Sequence, residues 1–113
     1  SWGGDVTATL IAPNGTQFAV FGRRGSTTAT GCGSGNDLAG PYNFKDTAAA
    51  TNWFSVAGNP TPAGDYRSTT VGGTATSGAV TSLSPAFAGV ANPNGTWTLR
   101  VNDSGGGDTG AVS

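Results

Sequence analysis

From Asp5 to Ala12, Val6, Ala8 and Leu10 take every second position, with Thr7, Thr9 and Ile11 between them. A period of two is the mark of a strand whose first row points inward. Pro13-Asn14-Gly15-Thr16 follows, and Asn-Gly favours the positive-φ turn that joins twisted hairpin strands. Gln17 to Phe21 is then the returning strand. The same tetrapeptide recurs at Pro93 to Thr96, ahead of a second alternating run from Thr96 to Asn102. There Trp97, Leu99 and Val101 share one side, and Thr98, Arg100 and Asn102 the other. The two apolar rows are predicted to be the inward rows of two facing β layers, with Trp97 in the core.

Between these runs the chain is punctuated rather than periodic. Gly31 to Gly40 is a glycine-rich loop that carries Asn36 and Asp37, and Tyr42 and Phe44 alternate as a short strand. Pro60, Pro62 and Gly64 break the chain, Gly72 to Gly78 is another loop, and Leu83, Phe87 and Val90 plug the core from an irregular segment. Asp46 to Val56 opens on a plausible cap and three alanines, but Thr51, Asn52 and Ser55 are weak helix formers, so one short turn is the most it supports. The pattern predicts an all-β sandwich with glycine-rich loops and little or no helix.

The length of 113 residues suits one domain over residues 1–113. Only 10% of residues are charged, which alone would fit disorder, but three Trp, five Phe and two Tyr need a core. A net charge of −1 with no basic run excludes an electrostatic nucleic-acid binder. No apolar stretch reaches the roughly 18 residues of a membrane span. No leader pattern opens the chain, so a secreted parent would reach this form by processing or trimming. A single lysine, no glutamate and abundant Thr and Asn give the composition of an exported surface. Cys32 is the lone cysteine, so it is a free thiol or pairs outside these residues.

The chain has no histidine, which removes Ser-His-Asp, Cys-His and His-zinc chemistry. Asp103 and Asp108 could approach across Ser104 to Gly107, but a flexible glycine loop is a poor support for a glycosidase pair. No catalytic residue is assigned, and the chain is read as a non-enzyme. Calcium suits the same residues better, because it takes oxygens from Asp, Asn and carbonyls. Asn36, Asp37 and Asp46 form one candidate group, and Asn102, Asp103 and Asp108 another; the alternative is turn chemistry alone. Asn14, Asn94 and Asn102 match a glycosylation pattern that turns also explain. Trp53, beside Phe54 in a polar stretch, is the candidate exposed contact, of the kind that sugar-binding modules present.

Three blocks carry a family resemblance. Gly4-Asp5-Val6-x-Ala8-x-Leu10-x-Ala12-Pro13-Asn14-Gly15-Thr16, then Asn36-Asp37-Leu38-x-Gly40-x-Tyr42-x-Phe44-x-Asp46, then Gly95-Thr96-Trp97-x-Leu99-x-Val101-x-Asp103 with Asp108-x-Gly110, stand in that order. Together they resemble the P domain (P/Homo B) of subtilisin-like proprotein convertases and bacterial secreted proteases, most closely the bacterial branch. The resemblance implies a jelly-roll β-sandwich of the galactose-binding-domain type. It implies a non-catalytic accessory domain, extracellular, that packs on the catalytic domain of a parent protease, stabilises it and aids substrate capture. It also favours calcium, on which some bacterial P domains look dependent.

The chain departs from the family at both ends. Only Ser1-Trp2 stands where the family has strands before a His-Thr-aromatic motif, and Ala111-Val112-Ser113 stand where it has a final strand. Residues 1–113 therefore read as an incomplete domain, whose open edges need a cover. The remainder of a longer chain would supply one. A strand donated by a neighbouring copy is the other possibility, which would make this a structural or adhesive surface module or a filament subunit. Carbohydrate binding is a third reading.

Overall fold

The computed structural model describes residues 2–49, 52–107 and 110–112. The chain is all-β with short strands: β1 (Val6–Ile11), β2 (Gln17–Gly22), β3 (Tyr42–Phe44), β4 (Gly64–Tyr66) and β5 (Thr98–Asp103). A 3₁₀ turn (Gly3–Asp5) precedes β1, and one four-residue helix, α1 (Leu83–Ala86), precedes β5.

The first alternating run and its turn form the expected hairpin. β1 and β2 pair antiparallel, from Ile11 opposite Gln17 to Thr7 opposite Gly22. Gly15 holds a φ of +89°, which glycine adopts without a Cβ penalty. The Ala12 N–H donates to the Thr16 carbonyl at 2.9 Å, and the Thr16 N–H to Asn14 Oδ1 at 3.0 Å. A register shift between Ala8 and Thr9 increases the local twist and sets Phe21 opposite Ala8.

β5 pairs antiparallel with the other side of β1, giving the order β2-β1-β5. This corrects one expectation. Ala8 lies opposite Val101 and Leu10 opposite Leu99, so the two apolar rows are cross-strand neighbours on one face of one sheet. They do not face each other across two layers, because alternation fixes which side chains share a face and not which strands are neighbours. The second Pro-Asn-Gly-Thr segment forms no hairpin; it leads into β5 and lies against the first turn, where a Cβ on Gly95 would stand 3.0 Å from Pro13 Cβ.

β3 and β4 form a separate parallel pair, Tyr42 opposite Gly64 and Phe44 opposite Tyr66. Their aromatic side chains meet those of β2, with Phe21 and Phe44 stacked at 5.1 Å between ring centroids. The core is the cluster of Ala8, Val20, Phe21, Trp53 and Tyr66, flanked by Tyr42 and Phe44. α1 carries Leu83 to the rim of this cluster, and Phe87 just beyond it meets Phe18 edge-on at 6.3 Å. The irregular loops are tied down through backbone contacts. The Gly4 N–H donates to the Ser34 carbonyl at 2.7 Å, and a Cβ on Gly33 would lie 2.6 Å from Gly4 Cα, so these two segments meet with no room for side chains.

Candidate functional site

Trp53 is not an exposed contact. It is fully buried, and its ring touches Phe21, Tyr42 and Tyr66 at 4.9 Å and Phe44 at 5.1 Å between centroids. Phe54 beside it is buried as well, and Val56 packs against the same core, while Ser55 between them is exposed. Aromatic contacts of this kind prefer the edge-on geometry seen for Tyr42, Phe44 and Tyr66.

Arg24 packs against the same tryptophan, 1% exposed, with its guanidinium carbon 5.4 Å from the ring centroid. Its Nε donates to the Trp53 carbonyl at 2.7 Å and its Nη1 to Thr61 Oγ1 at 3.0 Å, and its Nη2 donates to the Val56 carbonyl. No carboxylate contacts it among the described residues. Burial lowers its pKa from the ordinary arginine value, opposed by the Tyr66 and Tyr42 phenols, but from so high a starting point that it stays charged near neutrality. The arginine thus ties the strand end after β2 to the loop of residues 52–62. Sequence reasoning missed it, since an Arg-Arg pair after a strand carries no burial signal.

The calcium candidates separate into individual roles. Asp46 accepts from the Leu83 N–H at 2.6 Å and the Ser84 N–H at 2.8 Å, so its carboxylate caps α1 from a distant loop. The carbonyls of Asn36 and Asp37 accept from the Gly3 and Thr61 N–H groups at 3.0 and 2.8 Å. Asp103 Oδ1 accepts from the Gly105 N–H at 3.0 Å. Asp108 lies outside the described residues. Among the described residues, no three of His, Cys, Asp and Glu gather as a metal site. Cys32 is a free, exposed thiol.

The Asp46 cap has a measurable pH signature. The Leu83 and Ser84 N–H groups hold its carboxyl below the ordinary carboxylate value. A depressed folded pKa contributes stability above the unfolded value near ~4 and loses it as pH falls through the lower folded value. Asp46→Ala is expected to cost about 1 kcal/mol at neutral pH. Urea unfolding as a function of pH should show that this difference vanishes in acid below the folded pKa. A constant difference across the range would remove the capping role.

Among the described residues, a groove of about 1270 Å³ opens on the surface. Its floor is the apolar face of β1 and β5, through Val6, Ala8, Leu99 and Val101, and its far wall is Leu38, Tyr42 and Phe44. Leu99 is 53% exposed, and Val101 and Trp97 are each 38% exposed, so Trp97 is a rim residue and not core. The aromatic cluster covers the β2 side of the sheet face and stops short of β5.

Backbone bonding makes the β5 side an edge. The Ser104 N–H donates to the Asp5 carbonyl, the residue opposite it in register. Antiparallel bonds recur at every second residue. Thr98, Arg100 and Asn102 therefore turn their backbone groups to β1, and Leu99, Val101 and Asp103 turn theirs outward. No hydrogen bond to another described residue meets those outward groups. The groove and this edge are the arrangement with binding potential, and Asp103 places a carboxylate at its rim. Compared with known proteins, the chain matches no family model, no curated protein and no solved structure.

Proposed function

We propose that this chain is a non-catalytic accessory domain of an exported protein, a secreted subtilisin-like protease foremost, and that it docks there through the open side of a jelly-roll-type sandwich. The observation that carries the reading is the incomplete cover of one sheet face. Leu99 and Val101 stand half-exposed beside backbone groups that no other described residue meets, an arrangement that proteins ordinarily bury or blunt. The three blocks that resemble P domains support a protease parent, and the all-β fold is compatible with them. Calcium, which the resemblance favours, would find Asp46 already engaged, because the Leu83 and Ser84 N–H groups of α1 hold its carboxylate.

The native polypeptide tests the proposal. Mass spectrometry of the source organism's secreted fraction should find peptides of this sequence in one chain or one stable complex with a subtilisin-type catalytic domain. Their recovery in a chain or assembly with no protease would overturn it.

A further inference from the structure

The edge of β5, which no other described residue pairs, can be read for the chemistry of what would sit on it. Its outward N–H and C=O groups belong to Leu99, Val101 and Asp103, and the side chains of the same residues face the groove. Thr98, Arg100 and Asn102 present the opposite face, where the Arg100 guanidinium donates to Gln17 Oε1 at 3.0 Å. A strand added here makes main-chain bonds and places alternate side chains in the groove.

A second copy is a poor occupant. Two β5 strands paired antiparallel about a two-fold axis, faces kept together, overlap by five strand residues in only two registers. One sets Arg100 against Arg100, and the other sets Leu99 against Asp103. The chain's own residues 110–112 reach the groove, but Val112 is 66% exposed and no hydrogen bond joins these residues to β5.

We propose that the β5 edge and its groove accept one extended peptide segment from a partner, paired antiparallel to β5, with a basic residue, an apolar residue and a second apolar residue at alternate positions. The basic residue lies opposite Asp103, the last residue of the strand. The two apolar residues lie opposite Val101 and Leu99, beneath Tyr42 and Phe44. Between the apolar pair, an acidic residue faces Arg100. Cross-strand pairs of these kinds favour one register over its neighbours. This inference rests on the docking reading for the existence of a partner, but the acceptor site is a property of the chain itself.

The probe is a blocked peptide, Lys-Thr-Val-Glu-Val-Thr, titrated into the ¹⁵N-labelled chain. Shifts are expected at Leu99, Val101 and Asp103, with slowed amide exchange at the same three residues. N-methylation of the first valine removes one main-chain donor and is expected to weaken binding by up to roughly tenfold. Exchanging the peptide's Lys and Glu should weaken it as well. All comparisons use the unaltered protein, so folding of a variant does not enter. Absence of shifts at these residues, or equal binding of the N-methylated peptide, would overturn the proposal, as would concentration-dependent self-association through β5 without peptide. A failed titration leaves the parent-protease reading standing, and a native polypeptide without a protease leaves a positive titration standing.

Discussion

Replacing Trp53 with alanine is expected to destabilise the domain by about 3–5 kcal/mol, the range for emptying a large aromatic from a packed core. The indole touches four other rings, so its removal leaves Phe21, Tyr42, Phe44 and Tyr66 facing a void that the loops cannot close without moving. Domains of this size hold about 5–15 kcal/mol in all, so the variant should lose a large part of its stability in urea or thermal unfolding. Trp53→Phe should cost much less. It keeps most of the ring contact and removes an indole N–H that has no acceptor among the described residues. A loss below about 1 kcal/mol for alanine, the scale of surface substitutions, would put Trp53 at the surface.

Arg24→Leu is the second large effect. The leucine fills part of the space but leaves the Trp53 and Val56 carbonyls and the Thr61 hydroxyl without the donor that now reaches them. Each stranded buried polar group costs about 1–3 kcal/mol, so a total of about 3 kcal/mol or more is expected. Arg24→Lys should lie between, because an ammonium cannot spread three donors along a planar fork. Since carbonyl and hydroxyl oxygens, and no carboxylate, neutralise this cation among the described residues, salt should change the variant's deficit little. A deficit that disappears at high salt would point instead to a long-range charge effect. Equilibrium unfolding of the three proteins at low and high ionic strength checks both statements.

These two residues also show how far the sequence could be read. The hairpin over residues 6–22 was legible, because period-two alternation and an Asn-Gly turn are local and both point to one answer. β3 was legible from Tyr42 and Phe44, and β5 from its own alternation. Trp53 was not, because it reaches the core from a stretch with no periodicity, and isolated inward side chains leave no pattern. The concentration of Tyr42, Phe44, Trp53, Phe54 and Tyr66 in the middle of the chain was the available signal: rings so gathered pack together more readily than they stand in water. Trp97, Leu99 and Val101 failed for a different reason. Their shared face was read correctly, but alternation says nothing about whether another layer covers that face. Asp46 was singled out for its oxygens, as a helix cap and a calcium ligand alike, and the distant segment it caps has a proline-containing sequence too short to announce a helix.

The open side of the domain thus follows from one geometric fact, the position of β5 as an edge strand whose apolar row lies beyond the aromatic cluster. Amide hydrogen exchange along β5 in the 113-residue chain tests it most directly. Leu99, Val101 and Asp103 should exchange fast, and Arg100 and Asn102 between them slowly, because only the latter donate to β1. Uniform protection along the strand, or the reverse alternation, would mean that the edge is already paired and would contradict the acceptor groove.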